Sequence, residues 1–171
     1  QGQEDGGSST MTRTELRATC FRMGMKSWFE LVKGSKVEGG SVRRALEDSA
    51  SDLAWESFDL LERELGREAT LSELRPQKED PGAASDFGKA LTTLGLVCVV
   101  ERGDHGLGID QLALAFELDP PTAQVSGTAE PYRATLLRLL DPPRQARLLE
   151  AWANAAPEHV AVLNDLAWLH V

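Results

Sequence analysis

Cysteine is nearly missing from this 171-residue chain: Cys20 and Cys98 are the only two, far apart and each among apolar neighbours. That spacing builds neither a disulfide framework nor a metal-binding or redox CxxC motif. Both thiols are expected to act as small buried hydrophobes, in a cytoplasmic or organellar interior rather than a secreted setting. Long apolar runs are missing too. The longest, at 94–100, falls well below the roughly 20 residues of a membrane span, so no transmembrane segment is expected. Basic clusters are scarce: residues 1–80 carry 12 basic and 16 acidic groups, residues 81–171 carry 6 and 11, and the net charge is −9. Arg43-Arg44 and Arg144/Arg147 sit beside acids, so nucleic acid is disfavoured as a partner for want of a phosphate-binding stripe.

Catalytic patterns are equally thin. His105, His159 and His170 have no H-E-x-x-H spacing, no serine sits in a nucleophile elbow, and no carboxylate pair stands out from the acidic background. Gly103, Gly106 and Gly108 follow a possible strand and precede a helix. Their spacing is neither a dinucleotide fingerprint nor a P-loop, so a glycine-rich turn is the better reading. No catalytic, cofactor-binding or metal-binding residue is assigned, and an enzyme is not expected.

What is present is helical periodicity. Residues 1–11 are polar and glycine-rich and read as a disordered lead. Thr12 or Thr14 caps a helix running to Lys33, with Gly24 a weak point in its middle and Gly34 at its stop. Ser41 opens a second, on which Leu46, Leu53, Phe58, Leu60, Leu61 and Leu65 recur at helical spacing until Gly66. Thr70 and Glu73 have capping-box spacing for a short TLSEL helix. Residues 12–75 thus form an N-terminal helical module, and 76–84 read as a linker from PQKEDPG. Helices follow at about 85–101, 107–118, 129–140, 143–155 and 158–171, broken by Gly103-Asp104, Pro120-Pro121, Asp141-Pro142 and Pro157. The chain stops at Val171 inside the last of these, so a C-terminal continuation is expected. LVCVV at 96–100 is also compatible with a buried strand, because three of its five residues are β-branched.

Residues 91–120 resemble a tetratricopeptide repeat, two antiparallel helices closed by small residues and a proline. Leu91, Leu94, Gly95 and Cys98 match that family's first helix; Gly108, Leu112 and Ala115 match the second, and Leu118-Asp119-Pro120 the exit. One extra residue precedes the second helix, and Gly stands at 108 where Ala is usual. VLNDLAWLHV at 162–171 is similar to the first helix of another unit, through Leu163, Leu166 and Ala167, with a degenerate unit between. The resemblance implies an all-α fold: an antiparallel helix-hairpin array (a TPR-like α-solenoid) over 85–171, preceded by the N-terminal pair. It implies a scaffold, adaptor or non-catalytic assembly subunit whose groove binds a protein partner, peptide or helix, through Lys89, Thr92, Leu96, Val99, Asn164 and Trp168. The acidic surface favours a basic partner and salt-sensitive association. Thr92 and Leu96 replace two residues of the family's carboxylate clamp, which disfavours binding of chaperone tails.

A rival assignment is a winged-helix DNA-binding regulator over residues 69–108, with LVCVV as strand and ERGDHGLG as wing. Its recognition helix would carry Asp86, Lys89 and two threonines but no arginine for guanine edges or phosphates. ELGREATLSEL at 64–74 echoes a bacterial sigma-factor phrase and is treated as coincidence.

Overall fold

The computed structural model describes residues 10–34, 40–75, 81–118 and 123–170. The fold is all-α, with no strand among the described residues. In chain order the helices are α1 (Arg13–Lys33), α2 (Gly40–Leu65), α3 (Arg67–Leu74), α4 (Pro81–Leu96), α5 (His105–Leu118), α6 (Ala123–Ala129), α7 (Arg133–Leu139), α8 (Pro142–Ala155) and α9 (Val160–Leu169). Among the described residues no helix is long and apolar enough to cross a membrane.

α1 starts as its capping residues dictate. Thr12 Oγ1 accepts from the Glu15 amide at 3.2 Å, and the Thr12 amide donates to Glu15 Oε2 at 2.7 Å. Two of the helix's orphan donors are satisfied reciprocally, and the bond holds the Glu15 carboxyl below the usual carboxylate range. α1 and α2 then pack antiparallel at unusually close range. A Cβ on Gly24 would stand 2.7 Å from the Ala50 carbonyl oxygen, 2.8 Å from the Ala54 nitrogen and 2.9 Å from Ala54 Cβ. What reads in sequence as a weak point in a helix is the contact that lets the two helices touch.

The capping box expected at Thr70 and Glu73 does not form. α3 begins three residues earlier, at Arg67, and Thr70 is buried within it. The cause is Gly66, whose φ of +80° turns the chain out of α2 without a longer loop. Arg67 then anchors the junction. Its guanidinium donates to both carboxylate oxygens of Glu117 at 2.8–3.0 Å and to Glu62 at 3.1 Å, and it lies 5.1 Å from the Phe58 ring centroid. Of the expected linker, Pro81 and Gly82 lie in the first turn of α4, where proline is tolerated because its amide would have no partner there; 76–80 lie outside the described residues, as does the Pro120-Pro121 break.

The strand alternative for LVCVV is overturned. Leu96 ends α4, and Val97–Glu101 form a π turn in which the Arg102 amide bonds to the Val97 carbonyl at 3.1 Å. Cys98 and Val99 are buried, so the β-branched run is held helical by packing rather than by propensity. Gly103, at φ +67°, reverses the chain into α5. The two helices meet through glycine on both sides: a Cβ on Gly95 would lie 2.6 Å from Leu112 Cγ, and one on Gly108 would lie 2.4 Å from Val99 Cγ2.

The helix expected at 129–140 is divided. α6 ends at Ala129, a 3₁₀ turn spans Glu130–Tyr132 around Pro131, and α7 follows. Asp141 caps α8 by accepting from the Arg144 amide at 3.0 Å. Trp152 of α8 stacks on Phe116 of α5 at 5.0 Å between centroids. α5 and α9 both pack on α8, while α4 packs on α1, α5 and α6.

One apolar core runs from Ala18 of α1 to Val162 of α9. Phe21 meets Phe58 at 6.0 Å and Phe87 at 6.1 Å, and Gln111 Nε2 of α5 approaches Met25 Sδ of α1 at 3.5 Å. The buried Glu47 carboxylate pairs with Arg43 and Arg102, tying α2 to the end of the π turn. The N-terminal pair therefore shares apolar contacts with the later helices.

Candidate functional site

Of the six positions nominated from sequence, three are packing residues. Thr92 is fully buried and donates to the Gly88 carbonyl at 2.8 Å, Leu96 is buried, and so is Val99, whose Cγ2 sits over Gly108. Other helices, α1, α5 and α6, pack on α4, and Val99 belongs to the π turn that follows it. Lys89 is exposed and opens onto α1. Asn164 and Trp168 are exposed on α9, with Trp168 78% accessible. The structure does not gather the six into one surface.

A surface to which the sequence reading gave no role stands out instead. The inner face of α2 is built of small and polar residues: Glu47, Ala50, Ser51, Ala54 and Ser57 are buried there with Phe58 and Leu61. Its leucines face outward: Leu46, Leu53 and Leu60 are 53%, 45% and 41% exposed, at seven-residue spacing. On α1, Leu16 and Met23, also seven apart, are 53% and 59% exposed.

Helix geometry places both rows on the same side. Each residue advances about 100° around a helix. Met23 and Leu16 therefore point to one side of the line through Gly24, while Phe21 and Met25, both buried, point to the other. On α2, Leu53 and Leu46 lie on one side of Ala54, with Phe58 on the core side. Running antiparallel reverses the rotational sense, so the two outward rows flank one shallow groove along the hairpin. Their levels match as well. Gly24 faces Ala50 and Ala54, and Arg17 pairs with Glu64 and reaches the Leu60 carbonyl at 3.5 Å. Met23 therefore stands opposite Leu53, and Leu16 opposite Leu60.

The α2 edge of this face carries Asp52, Glu56 and Asp59, all exposed, with the exposed Arg63 on the same stripe one turn beyond Asp59. None of the three acids enters an ion pair among the described residues. Exposed hydrophobics in a double row, beside acids that form no ion pair among the described residues, fit an interface better than a solvent face, since single exposed hydrophobics are common but ordered rows of them are not.

A second concavity lies between α1 and α4, with a volume of about 670 Å³. Chemistry elsewhere is muted. Burial pushes the Cys98 thiol up to about 11, only partly opposed by Arg102, so it stays protonated at neutral pH. Among the described residues no three His, Cys, Asp or Glu side chains converge as metal ligands do. Comparison of the chain with protein-family models, with curated proteins and with solved structures finds no match in any of the three.

Proposed function

We propose that this protein is a non-catalytic interaction subunit or adaptor, and that its docking surface is the outer face of the α1–α2 hairpin. The occupant that fits is an amphipathic helix with an apolar stripe and a basic edge. Two rows at seven-residue spacing present side chains every two turns, the register on which a third helix packs. The free carboxylates of Asp52, Glu56 and Asp59 call for lysine or arginine along one flank of that helix. The observation carrying this reading is the inversion on α2, with alanine and serine inside and leucine outside. In the tetratricopeptide-like reading of the later helices, the Gly95–Gly108 approach supports α4 and α5 as one repeat-like hairpin. The groove of such an array is not the docking surface in this proposal, because Thr92, Leu96 and Val99 are buried.

The test is a fluorescence-anisotropy titration with a labelled helical peptide of about 20 residues, leucine at its a and d positions and lysine along one edge, beside a scrambled peptide of equal composition. Leu53→Glu is expected to weaken binding at least about tenfold. Val160→Glu, on the exposed side of α9, should leave it unchanged. Equal binding of the scrambled peptide, or no effect of Leu53→Glu, overturns the proposal. A dimer seen by sedimentation that Leu53→Glu dissociates would make the occupant a second copy and overturn the helix assignment.

A further inference from the structure

The concavity between α1 and α4 has a chemistry unlike the rest of this acidic chain. Among the described residues, Arg22, Lys26 and Lys33 contribute from α1 and Lys89 from α4, against Glu30 and Asp86. Its floor is apolar, formed by Phe29, Phe87 and Leu74. Lys26 and Lys89 enter no ion pair among the described residues, although the chain carries nine more acidic than basic groups. Arg13, Arg63 and Arg138 likewise enter no ion pair among the described residues, so what sets Lys26 and Lys89 apart is that they share one concavity with an apolar floor.

Several walls are held in place by other contacts. The Arg22 guanidinium donates to the Glu73 carbonyl at 2.7 Å, which fixes it at the α3 end. Phe87 is locked edge-on against Phe21 at 6.1 Å, and the Lys33 ammonium sits 5.9 Å from the Phe29 centroid. Lys26 and Lys89 are the cations left uncommitted.

We infer that this groove binds a small amphiphilic anion, an aromatic or alkyl body with one acidic head group, its body on Phe29 and Phe87 and its head between Lys26 and Lys89. The volume of about 670 Å³ lies within the range of small-molecule sites. Glu30 and Asp86 on the rim oppose a polyanion, which is why a single head group is favoured over an acidic peptide or nucleic acid. Apolar contact supplies affinity, and the lysines select for charge and hold the orientation. The groove borders the hairpin's outer face but shares none of the lining residues Leu16, Met23, Leu46, Leu53 or Leu60 with it.

The experiment uses 8-anilinonaphthalene-1-sulfonate as the anionic probe and N-phenyl-1-naphthylamine, of nearly the same ring system without the sulfonate, as its neutral counterpart. Fluorescence titration of the intact chain should give one sulfonate site, with the neutral probe at least about tenfold weaker. Lys26→Glu/Lys89→Glu should weaken the sulfonate about tenfold or more while leaving the far-ultraviolet circular dichroism unchanged. Arg138→Glu, an exposed cation on α7, should have no effect. Lys26→Gln/Lys89→Gln should fall between the wild type and the charge reversal, and it serves as the reading if the reversed variant fails to fold. Equal binding of the two probes, or sulfonate binding that survives both double variants, overturns the inference. Displacement of the sulfonate by an oligoglutamate peptide but not by dodecanoate would assign the groove to an acidic chain segment and overturn it too.

Discussion

Replacing Gly24 by alanine separates two opposing effects in one substitution. In an isolated helix, alanine is favoured over glycine by about 1 kcal/mol. At Gly24 the added carbon meets three atoms of α2 between 2.7 and 2.9 Å, two of them backbone and the third an alanine Cβ. None can rotate away, so α1 and α2 must separate by about 0.7 Å to reach ordinary contact at 3.4 Å. Overpacking of this kind costs about 1–3 kcal/mol; contact with immobile backbone places this site in the upper part, about 2–3 kcal/mol, so after the propensity gain of about 1 kcal/mol the net expectation is a loss of about 1–2 kcal/mol. Gly127, in α6, has nothing within 4 Å of its added carbon. There the propensity term acts alone, and Gly127→Ala should gain up to about 1 kcal/mol. Urea denaturation followed at 222 nm compares both with wild type, and an unchanged slope shows that the midpoint shift reflects stability. If Gly24→Ala is as stable as wild type or more so, the close approach of α1 and α2 does not exist.

Alkaline titration tests the burial of Cys98. Its thiol ionises only near 11 in the fold against 9.0 for an ordinary cysteine, so unfolding gains from ionisation as pH rises from about 9 to 11. Stability is unaffected below that window and falls through it by up to about 2 kcal/mol; a Cys98→Ala variant that keeps the same slope would contradict this. Val99→Ala should cost about 2 kcal/mol by removing buried carbons over Gly108, and a change in partner binding without loss of stability would return Val99 to a groove. The buried Gln111 directs its amide at the Met25 sulfur, a weak acceptor, and its Oε1 meets no donor among the described residues. Gln111→Met should therefore raise stability by about 1 kcal/mol in the same urea assay, and a comparable loss would show that the amide is needed.

Much of the fold was legible because the stop and start signals are local. Thr12, Gly34, Gly103 and Asp141 each act through a bond or dihedral within a few residues, and the expected boundaries of α1, α5 and α8 lie close to the observed ones. The Gly95 approach was legible for the same reason: only a residue without a side chain fits where Leu112 lies. Thr70 misled because its spacing to Glu73 is right for a cap, yet Gly66 had already started the helix. The exposed rows proposed as the docking surface were harder to see. Leu46, Leu53 and Leu60 share helical spacing with Phe58 and Leu61, and hydrophobicity alone points all five inward. The signal lay in the small residues Ala50, Ala54 and Ser57 together with Gly24, a seam that turns the leucines out. Thr92, Leu96 and Val99 were nominated by position in a repeat, but which faces of α4 and the π turn are covered depends on how the other helices pack there, which no local pattern encodes. Lys89 alone of the six falls where charge is unpaired beside an apolar wall.

The central claim is that the outward rows on α1 and α2 receive a helix. Carbene footprinting read residue by residue by mass spectrometry, with and without the basic amphipathic peptide, tests it directly. Labelling at Met23, Leu46, Leu53 and Leu60 should drop several-fold on addition of peptide, while the exposed Trp168 labels equally in both samples. Protection at Trp168 with no change at Leu46, Leu53 or Leu60 would place the contact on α9 and contradict the account.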